Sequence, residues 1–125
     1  MTALHSCAIF VTDVERARAF YEGQLGLPVN KAGSFGVEFL AEPTHLGVHP
    51  AKHPDAFAMV GRHTGLTFHV PNLLDFCSRL GEQGVRFVAE PTQQGFGVMA
   101  LVADPDGNVM ALWEDNVNPP AEESA

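Results

Sequence analysis

The chain has 125 residues, 15 acidic against 7 basic, a formal net charge of −8, and is 46% hydrophobic. That length suits one domain or two very small modules sharing a core, and the composition suits an ordered globule over a disordered chain. The acidic balance argues against a nucleic-acid binder, whose phosphate contacts demand Lys/Arg patches, and no apolar run approaches the roughly 20 residues that span a bilayer.

Residues 5–11, HSCAIFV, read as a strand rich in β-formers. Asp13 follows as a helix cap, accepting from backbone N–H groups two and three residues on. Val14, Ala17, Phe20 or Tyr21, and Leu25 then mark one apolar helix face, and Gly26 suits the left-handed residue that ends it. Three strand-like stretches come next: PVNKAG, FGVEFLA and THLGVH. Residues 51–63 form a linker whose proline and glycine content predicts a loop. Phe57 and Met59 within it are expected to tuck against the body, or alternatively to line or cover a pocket.

The second half repeats the plan. LTFHV, residues 66–70, is a strand; Asn72 is a capping residue; Leu73, Phe76, Cys77 and Leu80 supply the apolar face; Gly84 closes the helix. GVRFVAE, GVMALVAD and NVMALWE are the strands that follow. The register is regular: Val11 plus 59 is Val70 and Asp13 plus 59 is Asn72, but Gly26 plus 58 is Gly84. One residue is therefore missing from the second helix. Each half reads β-α-β-β-β, and two copies can bury what one would expose. The expected organisation is a single domain over 1–118, with module one at 3–50, module two at 64–115 and a disordered tail at 119–125.

Three features taken together resemble the vicinal oxygen chelate superfamily, the glyoxalase, bleomycin-resistance and ring-cleaving dioxygenase group. They are FVTDVERARAFYEGQLGLPV at 10–29, the paired module plan, and DPDGN at 104–108. The similarity runs over roughly residues 3–115. It implies an α+β fold of two tandem βαβββ modules whose curved mixed sheets form a cup, a site inside that cup, and a homodimer. Enzymes of the family hold a divalent metal there through His and Glu, as a Lewis acid on neighbouring substrate oxygens. Carried onto this chain, the four ligand positions fall on Ser6, Gly47, Gly65 and Ala111. None is an imidazole, carboxylate or thiolate, so neither a metal nor any other cofactor is expected. Glu114 is a carboxylate near the last position, but it lies on the opposite strand face from Ala111 and reads as a solvent-facing or rim residue.

Period-two counting gives the rest of the cup lining. Ser6, Ala8 and Phe10 share a face, leaving His5, Cys7, Ile9 and Val11 for the helix. The fourth strand contributes His45, Gly47 and His49. The fifth contributes His63, Gly65, Thr67 and His69, and the last Val109, Ala111 and Trp113. Phe35, Val37 and Phe39 share one face that the pattern does not assign. Small residues surrounded by aromatics and imidazoles suit an apolar ligand site with a few polar handles. The candidate ligand-binding residues are Phe10, Phe39, His49, Phe57, Met59, Thr67, His69 and Trp113; no catalytic residue is assigned.

The expected function is metal-independent binding of an aromatic or antibiotic-like small molecule, possessing the logic of sequestration-type resistance. The alternative is a lyase, isomerase or dioxygenase with a displaced site built from His49, His63 and His69. A third class is an interaction module whose cup is filled by side chains. The net charge would favour a cationic ligand through its long-range field, or serve solubility alone. Cys7 and Cys77 sit in apolar segments and read as buried free thiols. The N-terminus lacks a basic stretch and a cleavage site, so a cytoplasmic protein is expected, with no membrane or nucleic-acid partner.

Overall fold

The computed structural model describes residues 1–116; the expected disordered tail, 119–125, lies outside the described residues. In chain order the elements are β1 (Ser6–Val11), α1 (Val14–Arg18) continued by a π-helical turn (Ala19–Gln24), β2 (Val29–Gly33), β3 (Gly36–Phe39) and β4 (His45–Pro50). Then come α2 (Pro54–Phe57), β5 (His63–His69), α3 (Leu73–Glu82), β6 (Arg86–Gln94), β7 (Gly97–Ala103) and β8 (Val109–Asp115). They build two four-stranded mixed sheets, in the orders β1-β4-β3-β2 and β5-β8-β7-β6. In each sheet the first pair is parallel and the others antiparallel. The fold is α+β with tandem βαβββ modules. No helix among the described residues is long and apolar enough to cross a membrane.

The chain divides into two compact units. The first is Met1–Arg62 together with Asp104–Asn108; the second is His63–Ala103 with the residues from Val109. The turn near the C-terminus thus belongs with the N-terminal sheet.

In the first unit Asp13 caps α1 as expected, its Oδ1 accepting from Arg16 N–H at 3.2 Å. The one-residue excess of this helix over the second has a physical form. The Leu25 N–H donates to the Phe20 carbonyl five residues back at 2.9 Å, so the extra residue is absorbed as a π turn. That turn sends both Phe20 and Tyr21 inward, where the sequence pattern required one. Ile9, Val11, Val37, Phe39, Leu46 and Val48 meet them from the sheet, all buried. Each such side chain contributes about 1.5–3 kcal/mol relative to exposure.

The turn 104–108 closes this unit along the free edge of β1. In the parallel pairing with β4, His5 and Val11 carbonyls accept from His45 and Ala51, so the carbonyls of Ala8 and Phe10 point away from the sheet. Asn108 Nδ2 donates to Phe10 O at 3.2 Å, and Arg62 Nη2 donates to Ala8 O. Thr12 donates from its backbone N–H to Asp106 Oδ2 at 2.8 Å and from its hydroxyl to Oδ1 at 2.6 Å. Asp104, itself buried, accepts from the Tyr21 hydroxyl at 2.7 Å and from the N–H groups of Asp106 and Asn108. Gly107 takes φ +85, the backbone angle the Asp-Pro-Asp-Gly sequence calls for. An edge strand left bare would offer its polar groups to any other chain.

In the second unit Leu73, Cys77 and Leu80 of α3 pack on Ala100, Val102, Met110 and Leu112. Asn72 does not cap this helix with its side chain. It adopts a left-handed backbone, φ 54, and Glu114 takes the role instead. The Glu114 carboxylate accepts from Asn72 N–H at 2.8 Å and Leu73 N–H at 2.9 Å. The rim role expected for Glu114 is corrected accordingly: it lies opposite Ala111, but on the side of α3, whose orphan N–H groups attract an anion.

Those two bonds, Leu73's first, hold the Glu114 carboxyl below its ordinary value. A depressed folded-state value adds stability above the unfolded one, lost as pH falls through the folded one. Glu114→Gln is therefore expected to melt a few degrees below the parent at pH 7. The difference should fade below about pH 4, in melting curves taken from pH 3 to 8. A pH-independent difference would show that charge is not the stabilising feature.

Candidate functional site

Each sheet has one face against its helix and one face away from it, and the second kind carries the candidate residues. In the first unit the register sets Ser6 beside His45, Ala8 beside Gly47 and Phe10 beside His49. The Phe10 and His49 rings lie 6.0 Å apart. His49 Nδ1 bonds the Phe35 carbonyl at 2.8 Å, which makes that nitrogen the donor and leaves Nε2 an acceptor in the neutral ring. The imidazole folds over Gly47, so a Cβ added at 47 would collide with it.

Next to this pair is a polar corner. Glu38 neighbours Gly47 across the sheet and accepts from Asn30 Nδ2 at 2.6 Å. That bond, with smaller help from His45 and Lys31 against partial desolvation, holds its carboxyl below the ordinary range. His45 donates from Nδ1 to Leu40 O at 2.8 Å, and its ring lies 5.5 Å from that of His5.

In the second unit two rows cross the open face. Thr67, Ala111, Leu101 and Ala89 form one; His69, Trp113, Met99 and Thr92 form the other. Trp113 Nε1 donates to Asp115 Oδ1 at 2.8 Å, and the indole lies against Gly97. Trp113, Met99 and Leu101 are half-buried, while Thr67 and His69 are exposed. On the other side of this sheet, Asn72, Leu74, Asp75 and Glu114 line a shallow hollow at the start of α3.

The structure thus brings Phe10 and His49 together in one unit, and Thr67, His69 and Trp113 together in the other. Phe39 stands apart from both groups. Its register with Leu46 and its 5.9 Å ring distance to Tyr21 put it on the helix side, with 0% exposure. Val37 shares that face; Phe35 precedes β3 and is exposed, 6.3 Å from the His49 ring. Phe57 and Met59 do not tuck in. They are 53% and 38% exposed, on and just after the short helix α2 that forms where a loop was expected. Several open-face residues went unassigned in the sequence, among them Glu38, Ala89, Thr92, Met99 and Leu101. Period-two counting extended to β7 would have grouped Met99 with Leu101, whereas Glu38 needed the pairing of β3 with β4.

The donor set does not fit the metal that the family's enzymes use. Ser6 and Gly47 in one unit, and Gly65 and Ala111 in the other, offer no imidazole or carboxylate. Gly65 sits at φ +75, inside a register irregularity between His63 and Thr67 that interrupts the strand alternation. Among the described residues, no three His, Cys, Asp or Glu side chains gather as a metal centre within either unit.

A paired βαβββ plan with open, partly aromatic sheet faces defines a protein of the glyoxalase-fold class. The chain belongs to the Glyoxalase/Bleomycin resistance protein/Dioxygenase superfamily, whose family model matches residues 3–112. It is 31% identical over 118 residues to the uncharacterized protein YurT of Bacillus subtilis (strain 168), covering 84% of this chain and 93% of that one. Among solved structures it resembles TnmS3, an antibiotic binding protein from Streptomyces sp. CB03234. The TM-score is 0.75 and the identity 25%, covering 93% of this chain and 98% of that one. UcmS2 is similar to the same degree, with a TM-score of 0.75, 25% identity, and coverage of 90% and 98%.

Proposed function

We propose that this protein binds an aromatic, antibiotic-like small molecule without a metal and sequesters it. The carrying observation is the combination on the open faces: aromatic and apolar side chains where a ligand could lie, and no ligating side chain at any of the four positions the family's metal uses. The likeness to an antibiotic binding protein supports the same reading. Within the first unit Phe10 supplies a flat contact surface and His49 Nε2 an acceptor; within the second, Trp113 supplies a flat surface and Thr67 and His69 exposed polar groups. The reading includes a cytoplasmic homodimer, for which exposed Phe57 and Met59 offer apolar surface.

The test uses the only tryptophan in the chain. A panel of polycyclic aromatic natural products is titrated while Trp113 emission and the melting temperature are followed. At least one compound is expected to quench Trp113 with a micromolar Kd and to raise Tm. At a hundredfold excess over Kd the stabilisation is about 2.7 kcal/mol. No quenching and no shift across the panel would sink the reading, as would stoichiometric metal in the purified protein required for binding.

A further inference from the structure

We infer that Glu38 and His49 form an amine-binding subsite on the open face of the first sheet, and that the ligand of this protein is an aromatic ammonium ion. The inference rests on the small-molecule reading above and adds the chemistry of the ligand to it.

Gly47 is the middle of the subsite. Its neighbours across the sheet are Ala8 on β1 and Glu38 on β3, so Glu38 shares the face of Ala8, Phe10 and His49. Val37 and Phe39, before and after it, are buried on the other face. The His49 ring folds back over Gly47 with Nε2 leading, into the space a side chain at 47 would fill. Side chains opposite one another in an antiparallel pair start about 4.5–5.5 Å apart. Nε2 therefore stands one side chain's width from Glu38, close enough for a single ammonium group to bond both. Phe10 and Phe35 flank the imidazole, at ring distances of 6.0 and 6.3 Å.

Both groups are acceptors with capacity left. His49 Nδ1 donates to Phe35 O, and among the described residues no donor reaches Nε2. Glu38 Oε2 accepts from Asn30, and among the described residues no donor reaches Oε1. The Glu38 side chain is 20% exposed, open to a ligand yet partly out of water. Its neighbours do not neutralise it. His45 Nδ1 is 3.7 Å from Oε2 but donates to Leu40 O, and Lys31, opposite Glu38 on β2, makes no ion pair among the described residues. A glutamine would have bonded Asn30 equally well. What the carboxylate adds is a charge and a free oxygen. Two acceptors are too few for a divalent ion, whereas an ammonium has three N–H groups and the complementary charge. The flanking rings would take the aromatic body of the ligand and attract its cation. The net charge of −8 draws such a ligand in, and the local pair selects it.

The experiment compares 2-(aminomethyl)anthraquinone with 2-(hydroxymethyl)anthraquinone by calorimetry on the parent, Glu38→Gln and His49→Phe. It is run at pH 8 in about 0.15 M salt, which screens distant charges. The parent should bind the amine at least about tenfold tighter than the alcohol. Glu38→Gln keeps the partner of Asn30 but loses the charge, and its ratio should fall below about threefold. His49→Phe keeps a ring but loses the acceptor, and its ratio should fall below about fivefold. The Glu38 carboxylate carbon resonance of the parent, identified by its loss in Glu38→Gln, should move on adding the amine and stay still with the alcohol.

Equal affinities in the parent would overturn the subsite while leaving small-molecule binding standing. A ratio above its limit in either variant would also overturn it, since the preference would then belong to the field of the whole chain. So would a motionless Glu38 resonance with bound amine. If Glu38 only ties β3 to β2, Glu38→Gln would leave the ratio at the parent value. If neither probe binds the parent, the subsite fails together with the reading beneath it.

Discussion

Asn108→Ala is expected to destabilise the protein by about 3–5 kcal/mol, the cost of a buried polar network losing its centre. The Asn108 side chain has 0% exposure and serves four partners. Oδ1 accepts from Gly61 and Arg62 N–H; Nδ2 donates to Phe10 O at 3.2 Å and Asp104 Oδ2 at 3.0 Å. Alanine leaves two N–H groups and a strand-edge carbonyl without partners. The expected fall in Tm is about 10–20 °C, in calorimetry at pH 7. A milder companion, Tyr21→Phe, should cost about 1 kcal/mol, since Asp104 keeps its other donors.

Tyr21 also reports on the same network. It is the only tyrosine, and burial, reinforced by the Asp104 carboxylate, pushes its hydroxyl far above the ordinary value. A raised folded-state value means stability that is complete below about pH 10 and is lost as the pH rises above it. Tyrosinate absorbance at 295 nm should therefore appear together with alkaline unfolding, and at lower pH in Asn108→Ala. A change in Tm of under about 3 °C in Asn108→Ala would mean that the turn is ornamental to the first unit.

Gly97→Ala is the second large effect. A Cβ at 97 would sit 2.6 Å from the Glu114 carbonyl oxygen and closer still to the Trp113 ring. The oxygen is backbone in the paired strands β7 and β8 and cannot step aside cheaply. The indole can, but only by leaving Asp115. Overpacking at about 1–3 kcal/mol plus the lost hydrogen bond gives roughly 2–4 kcal/mol. Trp113 emission should shift to longer wavelength as the ring moves into water. Under the proposed function, binding of the aromatic ligand should weaken at least about tenfold, because its stacking surface has moved. Unchanged emission and unchanged Tm would show that the sheet absorbs a methyl at this position freely.

The fold was largely legible because its signals are periodic and occur twice. Val11 and Val70, Asp13 and Asn72, and Gly26 and Gly84 mark matching places in two copies, and alternation in β1 and β8 assigned faces correctly for Ile9, Val11, Met110 and Leu112. What escaped depended on partners distant in sequence. Asn72 looks like a cap by residue type, yet the carboxylate that caps α3 arrives from a residue 42 positions later. Phe39 could be assigned to a face only through its pairing with Leu46. Arg62 looked like linker, since nothing local reveals that its guanidinium reaches a carbonyl 54 residues earlier. The missing residue in the second helix was visible, but not that the longer helix would absorb it as a π turn that buries Phe20 and Tyr21 together.

The clasp at Asp104–Asn108 has a consequence in time. The first unit needs residues that follow the whole segment His63–Ala103 of the second in synthesis order. Its other part is complete at Arg62, and the 41 residues from His63 to Ala103 must be made before the clasp exists. At about 5–20 residues per second that is a delay of roughly two to eight seconds. Throughout it the outward carbonyl of Phe10 lacks Asn108, and the Tyr21 hydroxyl lacks its carboxylate. A nascent first module is therefore an open-edged intermediate, exposed to pairing with a neighbouring chain. The turn at 104–108 is what ends that exposure, so translation through residue 108 sets when the first unit can finish folding.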